Sequence, residues 1–495
     1  MTSIKISDLC QVKKDMISFS GVNNLFLFFN IESTLERASI TKSKGIQNVL
    51  ILLYLCLLHF KGRRSITEGL LFLEKQVHKS TVHNFLNNET YNWRKLLTHT
   101  AKLYQKRFPA DVGKPTIFVI DDTSKEKTGR FVEFIGKFRD HCKGCFYMGY
   151  QVIFGGISNG RTCIPIDFTI KISNPKKSNK SKKKNKKNPN RWSQAKYGKG
   201  QYLKNSHTYK RVKEAKKTKF DLCVTMLKRA LKNGFKFDFV AWDSWYNCSN
   251  SFKFVFEKLV SRGIHLVAMI KLDTTKYQHN GERLNARELF TKDPKWEKIT
   301  DNNIRVKSIV VDIEDKSIRK GKVLTGKVKL CFYKFPGYKD YKAIICTNID
   351  LSAEEILELY AYRWQIEVMI KDLKQYFGFY RSMSTKYAPQ VADLSINCMF
   401  YVMICTLKER KPKKSSYQIL LDLQFEFEEY CYEMFFAYKF KTRTVEFVDF
   451  AMRKGLTYIS ELRALMNELL YEFLSKEFYD DKIIEVDTMQ NDTVA

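Results

Sequence analysis

Four residues of the stretch ELYAYRWQIEVMIKDLKQYF, positions 358–377, belong to types that together handle phosphate: Tyr360, Arg363, Glu367 and Lys374. On a single helix, a turn of about 100° per residue puts them near 0°, 300°, 340° and 320° around the axis. They would share a sector of roughly 60° and run about 21 Å along it. Leu359, Ile366, Ile370 and Leu373 fall in the neighbouring sector and are expected to pack inward. The polar stripe therefore borders a buried face, where a cleft is expected rather than open water.

More carboxylates stand at the ends of apolar runs. KPTIFVIDDT (114–123) ends in Asp121-Asp122, and FKFDFVAWDSWY (235–246) carries Asp243. Both runs read as buried strands, and in open α/β sheets ligands bind at the carboxyl edge of the strands. Asp121 or Asp122, with Asp243 and Glu367, would offer three hard oxygen donors there, a set suited to Mg²⁺. Two such ions about 3.5–4 Å apart can stabilise the attacking and leaving oxygens of an in-line phosphoryl displacement. Arg363 would grip phosphate as a fork and Lys374 as a point charge, and Tyr360 adds a stacking face or a donor. Taken singly these features are weak. An Asp after a strand is often a turn former, and a Glu and a Lys seven residues apart are commonly surface decoration.

The elements that must position these residues can be read along the chain. Residues 1–110 are helical in pattern, with apolar spacing through 46–60, 66–76 and 92–107. Within them, 80–97 reads as helix, turn at Asn87-Asn88, helix. That is either a small DNA-contacting module or plain helix packing. MGYQVIFGGISNGRTCIPIDFTIKI (148–172) reads as two strands joined at Ser158-Asn159-Gly160. Eight of the twelve residues 176–187 are Lys. The run 175–191 is therefore expected to be a disordered loop, with Lys183, Lys184 and Lys186 available to DNA phosphates. A long amphipathic helix is expected over 208–233, a helix over 251–263 closed by Gly263, a strand over 264–271, and strand-rich chain over 272–349. SAEE, with Ser352 and Glu355, is a capping-box signal that opens the helix carrying Glu367. Residues 383–495 are again helical in pattern, with a disordered last stretch.

Composition narrows the partners. The 495 residues carry 86 Lys and Arg against 53 Asp and Glu, a net charge of +33. That favours a polyanion, most simply nucleic acid. The opening MTSIKISDLCQVKKD lacks the apolar core of a signal peptide. VLILLYLCLLHF (49–60) is too short to span a bilayer, and no membrane partner is expected. Twelve scattered cysteines point to reduced thiols in the cytoplasm. The single CxxC, Cys142 and Cys145, has no second pair at zinc spacing.

The order of elements resembles the RNase H-like core of DDE transposases: strand with Asp, two strands, basic helix, strand with Asp, helix, strand, helix with Glu. Tyr360, Arg363, Glu367 and Lys374 match in every spacing the Y-x2-R-x3-E-x6-K signature of the insertion-sequence family numbered four. Asp121-Asp122-Thr123 matches its D-x-T motif and Asp243-Ser244-Trp245-Tyr246 its second acidic motif. This register favours Asp121 as the first catalytic and metal-binding acid, with Asp122 as the alternative.

The resemblance covers about residues 80–405. It implies an α/β fold, a mixed sheet flanked by helices, divided into a helical DNA-binding region (1–110), a first core part (111–271), a β-rich insertion (272–349), a second core part (350–405) and a helical C-terminal region (406–495). It implies a Mg²⁺-dependent transposase, with Mn²⁺ as a substitute, that excises an insertion sequence at its terminal inverted repeats and joins it to target DNA. It also implies a homodimer in the synaptic complex, a nucleoid-associated enzyme of the cytoplasm, and an insertion that helps hold a distorted end base, where Trp296 would be either a wedge or a core residue. The alternatives are an RNase H-like nuclease without strand transfer and a catalytically inactive DNA-binding descendant.

Overall fold

The structure, a computed structural model, describes residues 31–40, 78–129, 131–140, 143–172, 201–247, 249–292, 296–299, 303–315, 324–379 and 382–425. The Lys-rich run with Lys183, Lys184 and Lys186, the expected helices over 46–60 and 66–76, Cys142, and everything after 425 lie outside the described residues. The chain divides into two compact units. One comprises Glu32–Gly69 and Lys79–Glu409; the other comprises Met1–Ile31, Leu70–His78 and Arg410–Ala495.

Among the described residues three helices precede the sheet: α1 (Ile31–Arg37), α2 (Lys79–Asn87) and α3 (Trp93–Arg107). Asn92 caps α3 by accepting from the Lys95 amide at 3.1 Å. Phe85, Tyr91 and Trp93 pack edge to face across the expected helix–turn–helix. Then come β1 (Ile117–Glu126), β2 (Gly136–Arg139), β3 (Phe146–Ser158), β4 (Cys163–Lys171), α4 (His207–Ala215), α5 (Lys219–Lys232) and β5 (Phe239–Trp242). α6 (Ser249–Phe254), β6 (His265–Ile270), β7 (Lys276–His279), β8 (Glu282–Asn285) and α7 (Ala286–Lys292) follow. The run closes with β9 (Glu297–Ile299), β10 (Ile304–Asp315), β11 (Leu324–Lys334), β12 (Lys342–Cys346), α8 (Ala353–Ala361), α9 (Trp364–Gln375) and α10 (Tyr387–Arg410).

The strands form one mixed sheet in the order β2-β3-β1-β5-β6-β12-β11-β10-β7-β8, with β4 also on β3 and β9 on β10. β1, β5 and β6 run parallel; β3 and β4 are antiparallel to their neighbours. The stretch β4-β3-β1-β5-β6 is the arrangement expected of an RNase H-like core. The strand-rich residues that follow are hydrogen-bonded into the same sheet, because β12 pairs with β6 and β11 with β12. Ile117, Phe118, Val119 and Ile120 are fully buried, as an unbroken apolar run must be in a strand covered on both faces.

Each face has its own cover. A side chain at Gly155 would meet Phe118 and Met226 of α5, whereas one at Gly156 would meet Val119 and Cys163. The even-numbered residues of β1 thus face α5 and the odd-numbered ones face α9, which packs on β1, β3 and β4. A buried ion cluster fastens the helices to β4. Arg94 of α3 reaches Asp167 at 3.0 Å and Glu214 at 2.9 Å. Arg229 of α5 reaches the same two carboxylates at 2.6 and 2.7 Å.

Three expected helices differ in continuity. The long one over 208–233 is two helices, because Thr218 starts a new one by capping the Asp221 amide at 3.1 Å. The one over 251–263 passes from α6 through a wide turn, Val255–Leu259, to a tight one, Val260–Arg262, before Gly263 ends it at φ 72°. The Glu367 helix breaks into α8 and α9. α10, though long and apolar, is 94% buried across its most apolar window and is a core helix of the protein. In the second unit, residues 416–425 are helical. Ser415 and Gln418 form a reciprocal cap there, at 3.2 and 2.8 Å.

Candidate active site

Asp121 and Asp122 are neighbours on β1, so their side chains leave opposite faces of the sheet. Asp122 points toward α5 and is saturated. Lys219 donates to Oδ1 at 2.8 Å and the Tyr246 hydroxyl at 3.0 Å, while Gln151 donates to Oδ2 at 2.5 Å. Asp121 points toward α9. Its Oδ1 accepts the Asp122 amide at 2.8 Å and its Oδ2 faces Arg363 at 3.5 Å. Burial pushes the Asp121 carboxyl up to about 7, against the opposing pull of Arg363; the neighbouring Asp122 and Glu367 charges add to the rise.

Asp243 follows β5 directly. Because Ile120 lies opposite Trp242 in the parallel pair, Asp121 and Asp243 leave the sheet side by side, about 5 Å apart along the hydrogen-bonding direction. Asp243 accepts from the Ser244 amide at 2.6 Å and starts the tight turn Ser244–Tyr246. Tyr246 is fully buried, its hydroxyl on Asp122, so the saturated acid anchors the turn that positions the other one.

Glu367 comes from α9. The Arg363 guanidinium bonds Glu367 on one side and faces Asp121 on the other. One planar group spans both carboxylates, so they lie within about 8 Å of each other. The helix that delivers them begins at the expected capping box, with Ser352 accepting from the Glu355 amide at 3.1 Å and Glu355 from the Ser352 amide at 2.7 Å. Leu359, Ile366, Ile370 and Leu373 are buried, as their sector required.

The break between α8 and α9 is a finding about the polar stripe. Tyr362, Arg363, Gln365 and Ile366 donate three residues back, to Leu359, Tyr360, Tyr362 and Arg363. The helix is overwound there, and such tightening mid-helix rotates the residues after it relative to those before. The cause lies far away in sequence. The β3–β4 turn reaches the break, where the Ser158 hydroxyl donates to the Tyr362 carbonyl at 3.1 Å. Gly160, at φ 86°, admits the Tyr362 ring; a Cβ there would stand 2.6 Å from Cζ. In the sequence Ser158 and Gly160 read only as turn residues, and nothing local marks them as supports for Arg363.

Tyr360 lies against this group, its ring 5.5 Å from the Arg363 guanidinium carbon, close enough to Asp243 for that charge to act on its phenol. Among the described residues the buried Arg363 Nε has no hydrogen-bond partner, and the buried Tyr360 hydroxyl has only the Arg363 guanidinium near it. Orphaned donors of this kind are rare in a finished core. Burial holds the Tyr360 phenol above its ordinary range, and the surrounding negative groups hold the Arg363 guanidinium firmly protonated despite burial. Lys374 is half-buried, about two turns further along α9. Trp296 is half-buried and packs edge to face on Phe290, 5.2 Å between centroids.

As arranged, no three His, Cys, Asp or Glu side chains among the described residues converge on one metal position, because Arg363 stands between Asp121 and Glu367. The donor chemistry nonetheless suits a hard cation. Mg²⁺ is ordinarily held by one or two carboxylates together with water and substrate phosphate oxygens, and the Asp121–Asp243 pair offers two adjoining ones at a sheet edge. A cation there would also relieve the cost of ionising the buried Asp121. Cys145 is exposed and a free thiol.

Comparison with known proteins bears on what this sheet edge does. A sequence profile of the DDE superfamily endonucleases matches residues 38–288, a span that includes Asp121 and Asp243 and stops short of Glu367. No curated protein matches the chain in sequence. Among solved structures, a piggyBac transposase synaptic complex with hairpin DNA aligns with 9% identity over 85% of this chain and 81% of its own, at a TM-score of 0.41. The NurA nuclease from Sulfolobus solfataricus aligns with 12% identity over 61% and 86%, at 0.21. Likenesses at those scores carry no argument about function. The profile match takes in half of the chain, and on that ground the protein belongs to the DDE superfamily endonucleases.

Proposed function

We propose that the protein is a DDE transposase that cuts an insertion sequence out of DNA and joins it to a target, with Asp121, Asp243 and Glu367 as its catalytic acids. The observation that carries this reading is the meeting of three separately encoded elements: the middle of β1, where its pairing with β5 stops, the residue after β5 and the first turn of α9. The Y-x2-R-x3-E-x6-K spacing points to the insertion-sequence family numbered four.

Asp121 and Asp243 would hold one Mg²⁺ and Glu367 would complete the set on the far side of Arg363; Mn²⁺ is expected to substitute. When bound, such ions supply Lewis acidity and a nucleophilic oxygen for phosphoryl transfer. The chain's own residues do the rest. Arg363 through its guanidinium and Tyr360 through its hydroxyl would be the donors for a non-bridging phosphate oxygen. Lys374 adds positive charge further along α9. The Lys219–Asp122–Tyr246 network keeps the Asp243 turn rigid, which favours an in-line geometry. The net charge of +33 draws the DNA backbone in and makes binding steeply salt-dependent. The partners are the terminal repeats, the target duplex and a second copy of the chain in the synaptic complex, at the nucleoid.

The experiment uses the DNA that brackets the coding region. Incubated with Mg²⁺ and a target plasmid, the protein yields cut ends and joined products, and Asp243→Asn yields neither while still retarding the end DNA. Cut ends without joined products would assign a nuclease lacking strand transfer. Retardation without cutting by the unmodified chain would assign an inactive DNA-binding descendant.

A further inference from the structure

One guanidinium holds two of the three candidate acids. Arg363 bonds Glu367 through Nη2 and faces Asp121 through Nη1 at 3.5 Å. The two contacts are unequal. The first is a one-turn pair within α9, so its partner moves with it. The second crosses between elements and is longer than a charge-assisted hydrogen bond, which falls near about 2.7–2.9 Å. The Arg363 side chain is 14% exposed, against 22% for Asp121 and 33% for Glu367. Solvent therefore reaches the acids more readily than the arginine between them.

Both carboxylates sit on fixed supports. Asp121 accepts the Asp122 amide at 2.8 Å on a strand still paired with β3. Glu367 stands on α9 beside the buried Ile366 and Ile370. The Arg363 backbone is held as well, by the overwound turn that Ser158 and Gly160 brace. What is left to move is the guanidinium on its flexible stem. Its Nε is buried without a partner among the described residues. The Tyr360 ring lies 5.5 Å from its central carbon, within the range at which a guanidinium rests on an aromatic face. An alternative seat is thus at hand without any change of backbone.

The bridge and a shared metal ligand set exclude each other, because a cation joining Asp121 to Glu367 would stand where the guanidinium stands. A divalent ion brings twice the charge and prefers such hard oxygens. We propose that Arg363 is an exchangeable internal cation: its guanidinium spans Asp121 and Glu367, yields them to a divalent metal ion and turns onto Tyr360. The proposal rests on the reading of these acids as metal ligands, and it adds an order of loading. While the fork spans the acids, both Nη atoms are engaged; once it has yielded them, it is free for a phosphate oxygen. By linkage, whatever draws Arg363 off the acids also strengthens metal binding.

The test is Mn²⁺ binding to the full chain without DNA, read from the free-ion signal in electron paramagnetic resonance. Two variants separate exclusion from simple repulsion. Arg363→Gln removes the charge and the bridge together. Arg363→Lys keeps the charge, but an ammonium is a single point and does not span both acids. Both should bind Mn²⁺ roughly tenfold more tightly than the unmodified chain, a difference of about 1.4 kcal/mol. Asp121→Asn added to the Arg363→Lys chain should cancel the gain, which locates it at these acids. Equal affinity in the unmodified and Arg363→Lys proteins overturns the proposal, since a gain with Arg363→Gln alone reports only the loss of a positive charge. A gain that survives Asp121→Asn overturns it too. Because no DNA is cut, either failure is separate from failure of the transposase reading, which the cleavage by Asp243→Asn decides.

Discussion

Two acid–arginine clusters lie in the same unit of this protein, and they are built differently. At β4, Asp167 and Glu214 share Arg94 and Arg229 through four contacts of 2.6 to 3.0 Å, and Thr169 adds a hydroxyl to Glu214 at 2.9 Å. Burial alone would raise the Asp167 carboxyl, yet Arg229 and Arg94 outweigh it and hold the group below its ordinary range. At the sheet edge, Asp121 has one arginine at 3.5 Å and a carboxyl raised to about 7, while Arg363 Nε is buried without a partner among the described residues. In the first cluster each carboxylate is paired with two guanidinium groups of the chain, although the neighbouring Arg211 keeps one buried nitrogen without a partner among the described residues. In the second, one guanidinium is shared by Asp121 and Glu367. Residue type does not separate the two; the number and closeness of the guanidinium groups on each acid do.

Breaking the first cluster should cost most stability. Arg229→Ala leaves two buried carboxylates short of a partner and is expected to destabilise the fold by about 3–5 kcal/mol, read by urea titration. The second cluster should respond in the opposite sense. Asp121 has its folded pKa raised, so ionising it in the native state opposes folding, and its cost grows as pH climbs from about 4 toward 7. In metal-free buffer Asp121→Asn is therefore expected to stabilise the protein by about 3 kcal/mol at pH 8 and to have little effect at pH 4. An equal effect at both values would show that Asp121 pays no desolvation cost. Gly160→Ala forces the Tyr362 ring aside, with an expected loss of about 2 kcal/mol, and should lower cleavage more than DNA binding because Arg363 and Glu367 follow that turn. Ser352→Ala removes half of the capping box and should cost about 1 kcal/mol, with cleavage at permissive temperature unchanged.

Much of this was legible in the chain. The strands that carry Asp121 and precede Asp243 could be read because a buried strand is an uninterrupted apolar run; the acids stop β5, but β1 runs on past Asp121 to Glu126 because β3 continues to pair with it. The Ser352 box could be read because capping is local. Strand alternation showed that Asp121 and Asp122 must part company. Which of them meets α9 depends on how the two faces are covered, and that is a tertiary fact. The α8–α9 break was invisible for the same reason: Ser158, 204 positions away, donates the hydrogen bond that holds it. The break after Ala215 had a local signal, Thr218 followed by Asp221, which the strong amphipathic pattern obscured. The pairing of β12 with β6 and the exchange of two arginines between Asp167 and Glu214 carry no local signature.

The most direct test of the sheet-edge assignment is cleavage by Glu367→Gln on the terminal DNA in Mg²⁺, with urea stability as the control. The account predicts a rate at least about a thousandfold below that of the unmodified protein, roughly 4 kcal/mol of barrier, in a protein that folds and binds the same DNA normally. Cleavage at an undiminished rate would contradict it.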